Sequence, residues 1–129
     1  MSIFGAIGVA GTGMTVYRKW LDAISDNMSN LNTVRRTDED AFQTRYVVAK
    51  PIEGGGTQVA GIALGSAEGR LVYEPDNPSP TRRYVKYPDI DMSSQMTQMI
   101  MAQRGYQANA AVVDRATAAY QAALQIGRS

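Results

Sequence analysis

The chain has 129 residues, with thirteen basic and twelve acidic side chains and neither cysteine nor histidine. The missing residue types exclude a disulfide framework, a Cys/His zinc site, a thiol nucleophile and any histidine-based triad. A net charge of +1 argues against a duplex nucleic-acid binder held by phosphate contacts, and 44% apolar with 19% charged residues is not a disordered composition.

Residues 2–33 read as a helix. Ile3, Ile7, Ala10, Met14, Tyr17, Leu21, Ile24, Met28 and Leu31 alternate spacings of four and three, the heptad seam that drives left-handed helix pairing. Gly5, Gly8, Gly11 and Gly13 weaken the first third, each costing about 1 kcal/mol relative to alanine in a helix. That third is expected to order only when packed. No charge precedes Arg18. A secretory signal would place basic residues before its apolar stretch, and a membrane span would need about 20 mostly apolar residues, so neither is expected.

Residues 34–90 form a middle segment of loops and short strands. Arg35-Arg36, Asp38-Glu39-Asp40 and Gly54-Gly55-Gly56 are loop and turn signals, and four of the five prolines lie between Pro75 and Pro88. Strands are predicted over 42–49, 58–64 and 70–73, with a further alternating run at 84–87, and the three glycines turn between the first two.

Residues 91–129 hold a second proline-free helix, with Asp91 as its N-cap. Its seam runs through Met92, Met96, Met99, Gln103, Tyr106, Ala110, Val113, Thr117, Tyr120 and Leu124. An antiparallel pairing of the two seams would set Met28 and Leu31 near Met92 and Met96, and Ile3 and Ile7 near Tyr120 and Leu124. Gln103 would then lie in the pair and need a hydrogen-bond partner. A second stripe, Met101, Gly105, Ala108, Val112, Ala119, Ala123 and Ile126, runs two residues out of phase and is mostly small. One partner helix covers only one face, so the small face is expected to meet neighbouring chains. Helices over 2–33 and 91–127 would be about 48 and 55 Å long, against roughly 36 Å for a globule of this mass. The fold expected is therefore mainly α with a small β/loop middle segment, the long terminal helices pairing as an antiparallel coiled-coil-like hairpin within a larger assembly.

No catalytic set emerges, and neither a cofactor nor a small-molecule substrate is expected. Asp89 and Asp91 are better read as turn and cap than as metal ligands. The glycine triplet lacks the lysine and hydroxyl of a phosphate loop. Arg82-Arg83 beside Tyr84 and Tyr87 lacks the wider basic patch of a nucleic-acid surface.

The chain resembles a known family. Asn27-Met28-Ser29-Asn30-Leu31-Asn32-Thr33 is similar to the N-x-A-N-x-N-T signature closing the first helix of bacterial flagellar rod and hook proteins. Tyr73-Glu74-Pro75-Asp76-Asn77-Pro78 followed by Tyr84-Val85-Lys86-Tyr87-Pro88-Asp89-Ile90-Asp91 resembles the "YdP…P…GYVkyPNV" stretch of the FlgC family of proximal rod proteins. Residues 96–109, MTQMIMAQRGYQAN, resemble that family's "EM…MI.A.R.YqaN" helix, with Arg104, Tyr106 and Asn109 in the matching places. Ser29, Arg83, Asp89 and Gln95 depart from the pattern, and residues 34–72 match only loosely. The resemblance implies a non-enzymatic subunit of the flagellar basal body, exported without signal-peptide cleavage and built into a periplasmic rod, a helical tubular assembly. Its partners would be copies of itself, other rod proteins, and membrane-ring and export-gate junction proteins at the rod base. The competing reading is a membrane-interacting module using the Gly/Ala-rich N-terminus, against which the seam speaks by running unbroken to Leu31.

Overall fold

A computed structural model describes residues 2–77 and 83–128. Pro78 and Arg82, singled out above, lie outside them. The chain is mainly α: two long helices pair antiparallel, and a small β segment of two hairpins lies between them in sequence.

Helix α1 spans Ile3–Ser29, with Ser2 as its N-cap accepting the Gly5 N–H at 3.0 Å. It stops short of the predicted residue 33 because asparagine competes for the backbone. Asn30 sends its amide back to Asp26 O at 2.8 Å, and Thr33 Oγ1 then donates to Asn30 Oδ1 at 3.0 Å. Leu31 thus lies beyond the helix. Strands β1 (Arg45–Pro51) and β2 (Thr57–Leu64) form one antiparallel hairpin, from Arg45 opposite Leu64 to Pro51 opposite Thr57, with an irregularity between Val48 and Ala49. Its turn runs through Gly54, Gly55 and Gly56 at φ of +90°, +121° and +98°, a region that residues with a Cβ rarely adopt. Strands β3 (Arg70–Tyr73) and β4 (Tyr84–Tyr87) form a second, separate hairpin. Helix α2 spans Met92–Ile126, and Asp91 caps it as predicted, accepting the Ser93 and Ser94 N–H groups.

A lone two-stranded hairpin is marginal in water, and both are docked. The β1–β2 hairpin lies against α1: Thr57 N–H donates to Thr12 Oγ1 at 3.1 Å, and the turn reaches Val9. The β3–β4 hairpin is tied to the loop after α1 by reciprocal 2.9 Å bonds between Arg35 and Lys86, over buried Ala41 and Val85. Gly69, at φ +64°, lets Ala41 and the Tyr87 carbonyl close in.

The helix interface is turned from the predicted seams. On α1 the most buried positions are Ala10, Gly13, Ala23, Ile24 and Asn27, and on α2 Gln95 and Ala102. Met99, Tyr106 and Val113 remain half-buried, whereas Met92 and Met96 are exposed, Met96 by 48%. Gln103 is exposed too, so it needs no buried partner. The physical reason is close approach. Small residues let the two backbones near each other, and amides that bond across the pair tolerate burial where a purely apolar count would have put them outside.

Candidate assembly interface

Two notches fix how the helices meet. A Cβ built on Gly105 would lie 2.4 Å from Tyr17 Cζ, so the Tyr17 ring seats on a position that only glycine vacates. Gly13 receives Asn109 in the same way, its Cβ position lying 3.0 Å from the Asn109 amide atoms. Asn109 in turn donates to the Gly105 carbonyl at 2.9 Å. Gly105 therefore belongs to the pairing face and not to the outward small face where its spacing had placed it. Two further cross-links run along the pair: Trp20 Nε1–H donates to Gln98 Oε1 at 3.3 Å, and Asn27 Nδ2 to Gln95 Oε1 at 3.0 Å. Near the free ends the Phe4 and Tyr120 rings meet edge to face at 5.2 Å. Apolar spacing had missed Phe4, Trp20, Gln95 and Gln98. The single tryptophan, one position off the seam, was the signal that could have pointed to them.

The remaining seam residues divide by depth. Ile7, Met14, Tyr17, Leu21, Met28 and Leu31 are half-buried, Ile24 is fully buried, and Ile3, Tyr120 and Leu124 are exposed. Of the outward stripe, Ala108, Val112, Ala119 and Ala123 are all exposed, as are Met101 and Ile126, the latter by 77%. From Thr117 to Arg128 every residue is exposed, Tyr120 by 39% and Ile126 by 77%. Among the motif residues, Asn27, Val85 and Pro88 are buried, Tyr106 and Asn109 half-buried, and Asn32, Tyr84 and Arg104 exposed. Tyr84 meets Tyr73 across the β3–β4 hairpin at 5.2 Å.

The accessible surface is 8775 Å². A folded monomer of 14.0 kDa ordinarily exposes about 6,700 Å². The excess, roughly 2,000 Å², is in the range that a stable protein–protein interface removes.

A cavity of about 300 Å³ lies under the β1–β2 hairpin, lined by Val16, Tyr17, Trp20, Val47, Ala49 and Thr57, without a carboxylate or a cation. No cluster of three or more metal-ligating side chains occurs among the described residues. None of their helices is long and apolar enough to cross a membrane.

Comparison with known proteins gives this surface a class. Residues 82–126, which include α2, match the family model described as flagellar basal body rod FlgEFG protein C-terminal. That match covers one end of the chain and gives its class, that of flagellar basal-body rod proteins, which relatives of nearly full length extend to the rest. Over nearly its whole length the chain is 31% identical to flagellar basal-body rod protein FlgC of Yersinia enterocolitica, covering 99% of this chain and 100% of that one. It is 30% identical to FlgC of Salmonella typhimurium with the same coverage, and 28% identical to FlgC of Borreliella burgdorferi over 98% of both chains. The chain belongs to the FlgC family of flagellar basal-body rod proteins.

Proposed function

We propose that the chain is a structural subunit of the flagellar rod, packing with copies of itself and with other rod proteins into a periplasmic drive shaft that carries torque to the hook and filament. At the rod base it meets membrane-ring and export-gate junction proteins, and it arrives there by flagellar export without cleavage of a leader. It performs no catalysis and takes no cofactor. Residues 1–33 and 91–129 form its helical rod portion, and residues 34–90 face outward.

The observation that carries this reading is the two-sided α2. One side holds α1, while the other presents Met101, Val112 and Ile126 beside exposed alanines to solvent. A monomer has nothing to set against that face, and a shaft needs contacts on every side of each subunit. Open-ended contacts between unlike patches generate helical polymers. Against the membrane-interacting alternative, α1 is held in the helix pair from Gly13 onward, where Asn109 seats.

The test is complementation. A flagellated strain lacking its own proximal rod subunit is supplied with this chain, and basal bodies are isolated. Complete rods containing the chain, in swimming cells, are the expected result. Rods that form without it, or that never form despite its export, would overturn the reading.

A further inference from the structure

Where the middle segment leaves the helix pair, one carboxamide touches three elements. Asn27 of α1 is 1% exposed and Gln95 of α2 is 3% exposed. Asn27 Oδ1 accepts the Arg45 N–H at 2.8 Å, while its Nδ2 donates to Arg45 O at 3.0 Å and to Gln95 Oε1 at 3.0 Å. Thr44 O is taken by the Gly65 N–H at 2.8 Å, on the side of β2. Successive strand residues point their backbone groups to opposite sides, so both groups of Arg45 face away from β2. The Asn27 side chain thus occupies the position of a third strand, pairing with the free edge of β1 by one donor and one acceptor. Its two amide hydrogens are divided, one to the hairpin and one to α2. No other short side chain but asparagine offers this set: aspartate lacks the donors, and leucine lacks everything.

We propose that Asn27 is a positioning residue that relays the seating of α2 to the β1–β2 hairpin. With Gln95 in place, all three Asn27 bonds are made and the root of the hairpin is locked. Without that acceptor, a buried amide hydrogen loses its partner, the carboxamide turns to find another, and the Arg45 edge opens. The far end of the hairpin is held separately, by Thr57 N–H on Thr12 Oγ1, a bond in which α2 takes no part. The hairpin is therefore fixed at both ends only when the helices are paired. The device works within a single chain and stands or falls independently of the rod reading.

Residue-resolved amide exchange on the full chain tests it. Gln95→Leu should speed exchange at the Arg45 amide by about tenfold while leaving the Thr57 and Ala102 amides within about twofold of the parent, the loss being that of one buried hydrogen bond. Gln95→Glu, which keeps an acceptor oxygen, should retain the Arg45 protection. Asn27→Leu should expose the Arg45 amide by itself, and adding Gln95→Leu to it should change that amide no further, because the relay has already been cut. An unchanged Arg45 amide in Gln95→Leu would overturn the proposal. So would equal losses at Arg45 and Ala102, which mean general loosening, or additive effects in the double variant.

Discussion

A methyl group added at Gly105 lies 2.4 Å from Tyr17 Cζ, whereas one added at Gly8 or Gly11 meets nothing within 4 Å. The same substitution should therefore have opposite signs along one helix pair. Gly8→Ala and Gly11→Ala each remove backbone freedom in the unfolded state and should stabilise the isolated chain by about 0.5–1 kcal/mol. Gly105→Ala gains that term but forces the Tyr17 ring out of its seat, an overpacking cost of typically 1–3 kcal/mol. Thermal denaturation should show the first two melting higher than the parent and the third lower. Tyr87 is tied to Glu74 through its hydroxyl. Its hydroxyl donates to Glu74 Oε1 at 2.8 Å, and that bond, with some desolvation and the carboxylate's charge, holds the phenol above its ordinary 10.0 against a smaller opposing effect of Arg70. A raised folded-state value favours the protonated phenol, so the bond's contribution is complete below pH 10.0 and is lost as pH climbs through the higher folded value. A phenolate titration should find Tyr87 ionising above 10.0, and Glu74→Gln should bring it back toward that value.

At the scale of elements, the periodicities that are local were legible in the sequence and those that depend on a partner were less so. The strand at 70–73 and the run at 84–87 fall where alternation put them, and the glycine triplet turns at positive φ, which glycine adopts most readily. Asp91 caps α2 for a reason contained within four residues. The helix faces are different. Of the positions that apolar spacing picks out, Ala10 and Ile24 are buried and Tyr17, Met99, Tyr106 and Val113 are half-buried. The same spacing favoured Met96 over Gln95 and Gln103 over Ala102, because an apolarity count assigns no value to an amide that bonds across an interface or to a small residue that permits approach. The interface has consequently turned toward Gly13, Asn27, Gln95 and Gly105, leaving large apolar side chains on its flank. Residues 117–128 are exposed throughout, and Phe4, which meets Tyr120, is itself 65% exposed. Short, poorly covered helix ends fray. Amide exchange on dilute monomer should show little protection over 2–9 and 117–127, rising toward the Gly13–Asn109 notch. Strong protection at Leu124 would mean that the end is stable without neighbours.

For the whole molecule, the deciding quantity is surface that folding leaves uncovered. The fully or nearly buried apolar side chains, Ala10, Ala23, Ile24, Ala41, Val85 and Ala102, are mostly alanines, so the core of the single chain is thin. Exposed apolar side chains flank it on both helices, Ile3 and Phe4 on α1 and Met96, Met101, Val112 and Leu124 on α2. Stability is then expected to depend on concentration, because a partner that covers those faces binds only the folded form. This separates folding from assembly in a way that mutation can read. Ala108 and Ala119 are exposed in the chain itself, so replacing either with leucine should change monomer stability by no more than about 0.5 kcal/mol. In a packed assembly the added volume costs typically 1–3 kcal/mol at every copy. Ala108→Leu and Ala119→Leu should therefore give a soluble chain with parental thermal stability that is exported but builds no rod, leaving cells non-motile. Gly105→Leu, by contrast, should already fail as a monomer, since its side chain collides with Tyr17 inside the helix pair. The experiment compares melting temperature, basal-body content and swimming for the three variants. Normal swimming by Ala119→Leu and Ala108→Leu cells would show that the alanine face of α2 is free in the assembled rod, and the contacts between subunits would then have to run through the Met92–Met96 flank instead.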